Sequence, residues 1–229
     1  MTPTASRTAP PRRATTRRSF LALALGLAGF GAVLLSPAGA GATPNLDETA
    51  KETLNKINAY FNSVRTMKGE FVQFAPDGSR TEGTFQLARP GRINFRYEKP
   101  ARMEIIADGK SVAVRDRRLD TQDIWPLNKT PLRFLLADHI DLTSDAKVTR
   151  VSVEPDLVTV IIDEESTFGD GRLTLVFDGN NYELRQWTVT DAQGDTSVAI
   201  YNVATGVPVN DGAFEINYQR DYLNNRIKD

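Results

Sequence analysis

The sequence predicts a mainly β protein: a curved antiparallel sheet, closed or nearly closed, with a few helices packed on it. About a dozen short segments rich in Val, Ile, Phe and Tyr follow one another, separated by tight turns such as 76–78 and 178–180. Apolar and polar residues alternate within them, as Ile93, Phe95 and Tyr97 do with the residues between. Helical periodicity is confined to two segments of the mature chain.

Residues 1–42 have the order of a cleavable secretory signal peptide: basic residues, an apolar run, then small residues. Adjacent Arg17 and Arg18 resemble the twin-arginine export signal, although Ala22 stands where another basic residue usually follows. The apolar run at 20–35 is short and glycine-containing for a membrane anchor. We therefore expect export to the periplasm, by the twin-arginine or the general route.

The composition narrows the function of the mature domain, which we expect at 43–220 with a polar tail at 221–229. Loss of the signal peptide removes five arginines, so the net charge of −1 becomes about −6. That charge argues against nucleic acids and against electrostatic docking to anionic membranes. The absence of cysteine and the single histidine, His139, exclude a thiol nucleophile, a lipid-modified cysteine and a multi-histidine metal site. We expect no cofactor, no metal and a monomer.

Asn45–Val64 is predicted to be an amphipathic helix, because apolar residues recur every three or four positions. Asn58 falls on the polar side of this helix, which we expect to face solvent. Thr43 or Asn45 is the expected N-cap, and Asp47 is expected to interact favourably with the helix dipole. Such a helix must lay its single apolar stripe on another element.

A second helix is predicted at Thr130–Asp138, and the remaining regular structure is predicted to be strands. One face of their sheet should be apolar and the other wet. The apolar face encloses either a full core or a partly empty cavity suited to acyl chains, and the pattern alone leaves both open. The predicted strands are Met67–Phe74, Gly83–Leu87, Arg92–Tyr97, Arg102–Ala107, Ser111–Arg115, Thr121–Trp125, Val148–Val153, Leu157–Asp163, Arg172–Phe177, Glu183–Thr190, Thr196–Val203 and Phe214–Tyr218.

An ordered series of motifs carries a family resemblance. Gly69–Phe74 contains a Phe-x-Gln strand, and Gly83–Tyr97 contains a Gly-x-Phe strand and an Arg-Pro step into an aromatic strand. An Asp-Gly turn follows at 108–109, and a Pro-Leu-rich helix at Pro131–Leu136. Together with the signal and the first helix, this series resembles the periplasmic outer-membrane lipoprotein carrier family (LolA-like). The resemblance spans residues 45–218.

The resemblance implies an unclosed β-barrel whose helical lid covers an apolar cavity. It also implies a carrier that receives acylated lipoproteins from an inner-membrane release transporter and hands them to the outer membrane, with or without an acceptor there. Arg89 matches the family arginine that is tied to the lid and helps it open and close, as a guanidinium can by hydrogen-bonding helix carbonyls. The residues implied to line the cavity are Phe71, Phe85, Leu87, Ile93, Phe95, Tyr97, Met103, Ile105, Leu132, Leu135 and Leu136.

The chain departs from the family pattern in two places. Ile93 and Phe95 stand where the family often has Phe and Trp, and the tail at 221–229 does not align. These departures leave the expected fold intact and weaken any statement about the particular cargo.

Two other functions stay open at this point. A hydrolase could use paired carboxylates from 163–165 or from Asp116, Asp120 and Asp123. These acids lie beside turns, and the chain lacks a Gly-x-Ser-x-Gly elbow, so we do not expect an enzyme. The alternative is an envelope sensor or lipid-binding module with the same fold. Its depletion would perturb stress signalling without mislocalising lipoproteins.

Overall fold

A computed structural model describes residues 46–144, 146–166 and 169–219. Eleven strands in these ranges form one sheet in which all neighbours are antiparallel. The strands are β1 (Thr66–Phe74), β2 (Arg80–Ala88), β3 (Arg92–Tyr97), β4 (Met103–Asp108), β5 (Ser111–Asp116), β6 (Thr121–Pro126), β7 (Val148–Val153), β8 (Leu157–Ser166), β9 (Gly169–Asp178), β10 (Leu184–Asp191) and β11 (Gly194–Thr205).

The strand order, β6-β5-β4-β3-β2-β1-β11-β10-β9-β8-β7, pairs the first and last strands at the centre of the sheet. Its two edges, β6 and β7, follow each other along the chain and are not paired with each other in the part of the chain described. The sheet is therefore not closed into a barrel. This confirms the predicted mainly β fold and the unclosed arrangement.

Helix α1 (Glu48–Ser63) covers the concave face of the sheet, as predicted. Its stripe of Leu54, Ile57 and Phe61 is buried in the same cluster as the inward side chains of the strands. The expected cap was wrong, because Asp47 is the N-cap and its Oδ1 accepts a hydrogen bond of 2.7 Å from the Ala50 N–H. A short Asx side chain just before the first turn satisfies an unpaired N–H there.

The predicted second helix, Thr130–Asp138, is shorter in the structure. A 3₁₀ turn at Leu127–Lys129 precedes helix α2 (Leu132–Leu136), and both lie in the connection from β6 to β7. Pro131 occupies the N-cap, and Ala137 ends the helix by adopting an extended ψ of 150°. This connection brings Leu132, Leu135 and Leu136 into the core under the open side of the sheet.

The predicted twelfth strand, Phe214–Tyr218, is wrong. After β11 the chain leaves the sheet, and residues 206–219, here called the C-terminal strap, cross its outer face. A 3₁₀ turn at Asp211–Phe214 lies within the strap. Its backbone is held by outward side chains of the sheet: the Asn94 amide donates to the Ala213 carbonyl (2.9 Å), and the Gln122 amide donates to the Asn217 carbonyl (2.8 Å). The alternation at 214–218 therefore reflects packing on a sheet face, not pairing at an edge.

The prediction that the whole outer face is exposed to solvent is wrong, because the strap covers part of it. On β3–β6 the outward residues Asn94, Glu104, Ile106 and Gln122 are all buried. The Glu104 carboxylate accepts hydrogen bonds there from Asn94 (3.1 Å) and Arg96 (3.3 Å). A buried carboxylate needs such partners, so this half of the sheet is a packed layer on both faces.

Candidate functional site

The concave interior brings the predicted cavity residues together. All eleven belong to one hydrophobic cluster, none is more than 7% exposed, and they come from β1, β2, β3, β4 and α2. That they line a cavity for a ligand stays a prediction. The residues are Phe71, Phe85, Leu87, Ile93, Phe95, Tyr97, Met103, Ile105, Leu132, Leu135 and Leu136.

The sequence-based set covers only half of this interior. The other wall is built from β8 to β11 by Val160, Ile162, Leu175, Phe177 and Trp187, together with their inward neighbours. The signal that identifies them is the same apolar alternation that predicted their strands. The set does not include them because the family motifs end at Leu136, before β7 begins.

Aromatic rings meet at the centre of the interior around Phe71. Its ring makes edge contacts with Phe95 (5.0 Å between centroids) and with Tyr97 (4.9 Å). Phe71 and Tyr97 lie on strands separated by β2, where Gly83 is the register partner of both. Since glycine has no side chain, the two rings can touch across β2. A Cβ at Gly83 would lie 2.1 Å from the Arg96 carbonyl oxygen, so this position has no room for one.

Arg89 joins the sheet to both helices. Its Nε donates to the Leu135 carbonyl (3.1 Å), its Nη1 donates to the Phe61 carbonyl, and its guanidinium lies 4.8 Å from the Phe61 ring centroid. The neighbouring Gly91 N–H adds a bond of 2.8 Å to the Leu136 carbonyl. The sequence placed Arg89 at the lid on family resemblance, and the structure puts its side chain between the C-terminal ends of α1 and α2. A role in opening stays a prediction.

The electrostatics of this contact are favourable although the arginine is only 7% exposed. Helix C-terminal carbonyls carry partial negative charge and attract a cation. Burial, helped by the positive charge of Arg65, lowers the pKa of Arg89 to about 10. The guanidinium is therefore still protonated at neutral pH and keeps both charge-assisted hydrogen bonds.

Two asparagines of α1 bind the chain that follows α2, a contact the sequence did not predict. The Asn62 amide donates to the Ile140 carbonyl and accepts from the Ile140 N–H, both at 2.9 Å. Asn58 accepts from the Leu142 N–H (2.9 Å) and donates to Asp141 (3.1 Å). The prediction that Asn58 faces solvent is wrong, because its side chain is nearly buried in this contact. Residue type alone does not reveal it, since asparagine at four-residue spacing also suits an exposed face.

One polar pair lies inside the apolar interior. The Tyr97 hydroxyl donates to Oε1 of Gln73, the inward residue that follows Phe71 on β1. Gln73 is 3% exposed and Tyr97 2% exposed. Burial raises the pKa of Tyr97, so its hydroxyl stays protonated and can donate at physiological pH.

Two of the candidate catalytic carboxylates, those of Asp116 and Asp163, make local contacts. Asp116 accepts hydrogen bonds from the backbone N–H of Arg118 (2.8 Å) and of Leu119 (3.1 Å), as turn-forming aspartates do. Asp163 forms an ion pair of 3.4 Å with Arg172. Within the described ranges, no three His, Asp or Glu side chains are grouped so as to hold a metal ion.

Two further predictions concern the chain ends and membrane insertion. The signal peptide with Arg17 and Arg18, and the tail at 221–229, lie outside the described residues. Of the helices that the structure describes, none combines the length and the apolar character needed to cross a bilayer.

The fold and this interior define a class of protein: an unclosed antiparallel sheet whose apolar concave face is covered by helices. The model of the family described as outer membrane lipoprotein carrier protein LolA matches residues 62–217. The chain belongs to this family, which confirms the resemblance. The family description names lipoprotein carriers.

Relatives of the chain bear the same name. The outer-membrane lipoprotein carrier protein of Halorhodospira halophila is 33% identical over 98 residues, which are 39% of this chain and 47% of that protein. The one of Leptothrix cholodnii is 29% identical over 183 residues, 76% of this chain and 82% of that protein. This chain thus matches about half of the first relative's length and most of the second. A crystal structure of a LolA superfamily protein from Nitrosomonas europaea aligns with a TM-score of 0.39 and 10% identity, covering 72% of this chain and 98% of that one.

Proposed function

We propose that this protein is a periplasmic carrier that binds the acyl chains of lipoproteins on its concave face. It moves them from the inner to the outer membrane. The observation that carries the proposal is the single apolar interior, covered by helices that Arg89 holds to the sheet. Polar bonds at the margin of an apolar surface can break and re-form without unfolding the sheet beneath.

The energetics of such a carrier require a cost that opposes binding. Each acyl CH₂ group transferred from water contributes about 0.8 kcal/mol, so several long chains would otherwise be held almost irreversibly. In the structure, the side chains of Phe61 and Leu135 belong to the buried cluster of this interior. Binding must displace these side chains and break the Arg89 bonds to their carbonyls. That cost offsets part of the acyl burial and keeps release possible.

The proposed route has three partners. Acylated lipoproteins are the cargo, an inner-membrane release transporter supplies them, and the outer membrane receives them with or without an acceptor protein. The signal-like residues 1–42 support a periplasmic location, and the net negative charge of the rest argues against nucleic acid. We expect the carrier to act as a monomer.

The test is release of lipoproteins from spheroplasts by the purified protein, with its variants compared. Wild type should bring acylated lipoproteins into the soluble fraction, and Arg89→Leu should change their uptake or their later transfer. Arg65→Leu is the matched control, because it removes a neighbouring exposed arginine whose ion pair with Asp138 lies at the surface. Failure of the wild type to release any lipoprotein would contradict the proposal. Perturbed stress signalling on depletion, with lipoproteins still correctly located, would favour the sensor alternative.

A further inference from the structure

The hydroxyl of Tyr60 on α1 is buried and has no hydrogen-bond partner among the residues described. The ring packs at the margin of the hydrophobic cluster, with its centroid 6.3 Å from that of Phe61. In water a phenol hydroxyl donates one hydrogen bond and accepts others, so burying it without a partner is unfavourable. Since buried polar groups are nearly always bonded, this exception needs a physical explanation.

The two flanks of α1 are held differently. Asn58 and Asn62 make four hydrogen bonds to residues 140–142. Tyr60 is two residues from each asparagine, and two residues turn an α-helix by about 200°, so its side chain lies on the opposite flank. The helix is therefore bonded along the asparagine flank, whereas the hydroxyl on the Tyr60 flank is bonded to nothing described.

Charged groups near the Tyr60 flank do not supply the missing bond. Burial raises the pKa of Tyr60, the charge of Glu183 adds to this increase, and the charges of Arg185 and Arg89 oppose it. These groups are engaged elsewhere, because Arg185 is paired with Glu183 at 3.4 Å and Arg89 donates to helix carbonyls. With α1 seated on the sheet, the protonated hydroxyl is thus shut off from water and from its charged neighbours.

We propose that Tyr60 biases α1 to lift from the sheet on this flank and so to open the interior to an acyl chain. When the flank lifts, water bonds the hydroxyl and the cost of burying it disappears, while the bonds of Asn58 and Asn62 hold the other flank. Arg89 opposes the same motion, because its guanidinium bonds the Phe61 carbonyl of α1. This inference rests on the proposed function and adds a residue that favours opening to one that favours closure.

A single introduced thiol can report the lifting of α1, because the chain has no cysteine. Ile57 lies three residues before Tyr60 on the same side of α1 and is 0% exposed, so Ile57→Cys can react with a thiol reagent only after α1 moves. Adding Tyr60→Phe should slow this reaction roughly fivefold to thirtyfold, the factor that corresponds to one unbonded buried hydroxyl. The control, Tyr201→Phe, alters an exposed tyrosine on β11 and should leave the rate unchanged.

A second thiol separates lifting of one flank from unfolding of the whole domain. Leu54 is also 0% exposed, but it lies four residues before Asn58 on the bonded flank. After correction for each variant's free energy of unfolding, Leu54→Cys should react more slowly than Ile57→Cys. Equal corrected rates would mean that both thiols react only on global unfolding, and they would overturn the inference. An unchanged or faster reaction of Ile57→Cys on adding Tyr60→Phe would also overturn it, because the hydroxyl would then not destabilise the seated helix.

Binding of an acyl chain is measured separately with the fluorescent fatty acid cis-parinaric acid. If only the lifted form binds, the apparent Kd should rise in Tyr60→Phe by the factor by which the thiol reaction slows. An unchanged Kd would overturn the inference, because lifting of this flank would then not admit the chain. Absence of binding by wild type would contradict the proposed function, while the thiol reaction would still test the effect of Tyr60 on α1.

Discussion

Replacement of Arg89 by leucine should loosen the two helices from the sheet. The variant loses two charge-assisted hydrogen bonds to helix carbonyls, each contributing about 1.5–3 kcal/mol. Part of that loss is offset, because a buried guanidinium no longer has to be desolvated, and the Phe61 carbonyl keeps its bond of 3.3 Å from Val64. We therefore expect the free energy of unfolding to fall by about 2–4 kcal/mol.

Denaturant titration measures this change, and hydrogen exchange locates it. For a domain of this size the midpoint of thermal unfolding should fall by roughly 5–15 °C. Exchange should speed up in α1 and α2 and stay slow in the central pair β1–β11. The control, Arg65→Leu, breaks an ion pair whose side chains are 59% and 69% exposed, so its effect should be below about 1 kcal/mol. Equal losses in the two variants, or faster exchange in the central strands, would refute the assignment of Arg89 as the bond between helices and sheet.

Three further predictions follow from the same region. Asn62→Ala should cost about 1–3 kcal/mol and speed exchange of the Ile140 amide, whereas Asn55→Ala on the exposed side of α1 should do neither. Hydrogen bonds, chiefly from Thr143, lower the pKa of Asp141 from 3.8 to about 2. The ionised Asp141 carboxylate therefore stabilises the fold fully above pH 3.8, and this contribution is lost as the pH falls towards 2. Asp141→Asn should remove that part of the acid sensitivity, measured by unfolding as a function of pH. Gly83→Ala should cost about 3 kcal/mol in chemical unfolding, and a loss below about 1 kcal/mol would contradict the close contact at β2.

The sequence is most informative where side chains alternate between core and solvent. Runs of β-forming residues separated by turn signals located all eleven strands. Within many of them, alternation identified the face that lies against the helices. The same rule misassigned Phe214. Phe214 belongs to the strap on the outer face of the sheet, and its side chain is buried there. Its burial therefore resembles that of a strand residue. No local pattern distinguishes these two kinds of burial, since both place one side of the chain against apolar atoms.

Contacts between segments that are distant along the chain could not be predicted from the sequence. The pairing of β1 with β11 joins residues more than 100 positions apart. The sequence of neither strand indicates which strand it pairs with. The Asn62–Ile140 pair is similar, because its energy comes from backbone groups that every residue possesses. Arg89 was found from the family motif, and its carbonyl partners only from the structure. Gln73 lay within a recognised motif, yet its hydrogen bond from the Tyr97 hydroxyl appears only once the surrounding strands are in place.

The C-terminal strap makes the two wings of the sheet mechanically unequal. It ties the outer face from Gln86 on β2 to Gln122 on β6, and the wing of β7–β10 has no comparable brace among the described contacts. Expansion of the interior should therefore displace the unbraced wing further than the braced one. The wing of β7–β10 would then rotate about the central pair β1–β11, while the braced wing stays in place. Any added volume would then be taken up on the side of β7–β10, while the wall bearing Tyr97 and Arg89 keeps its position.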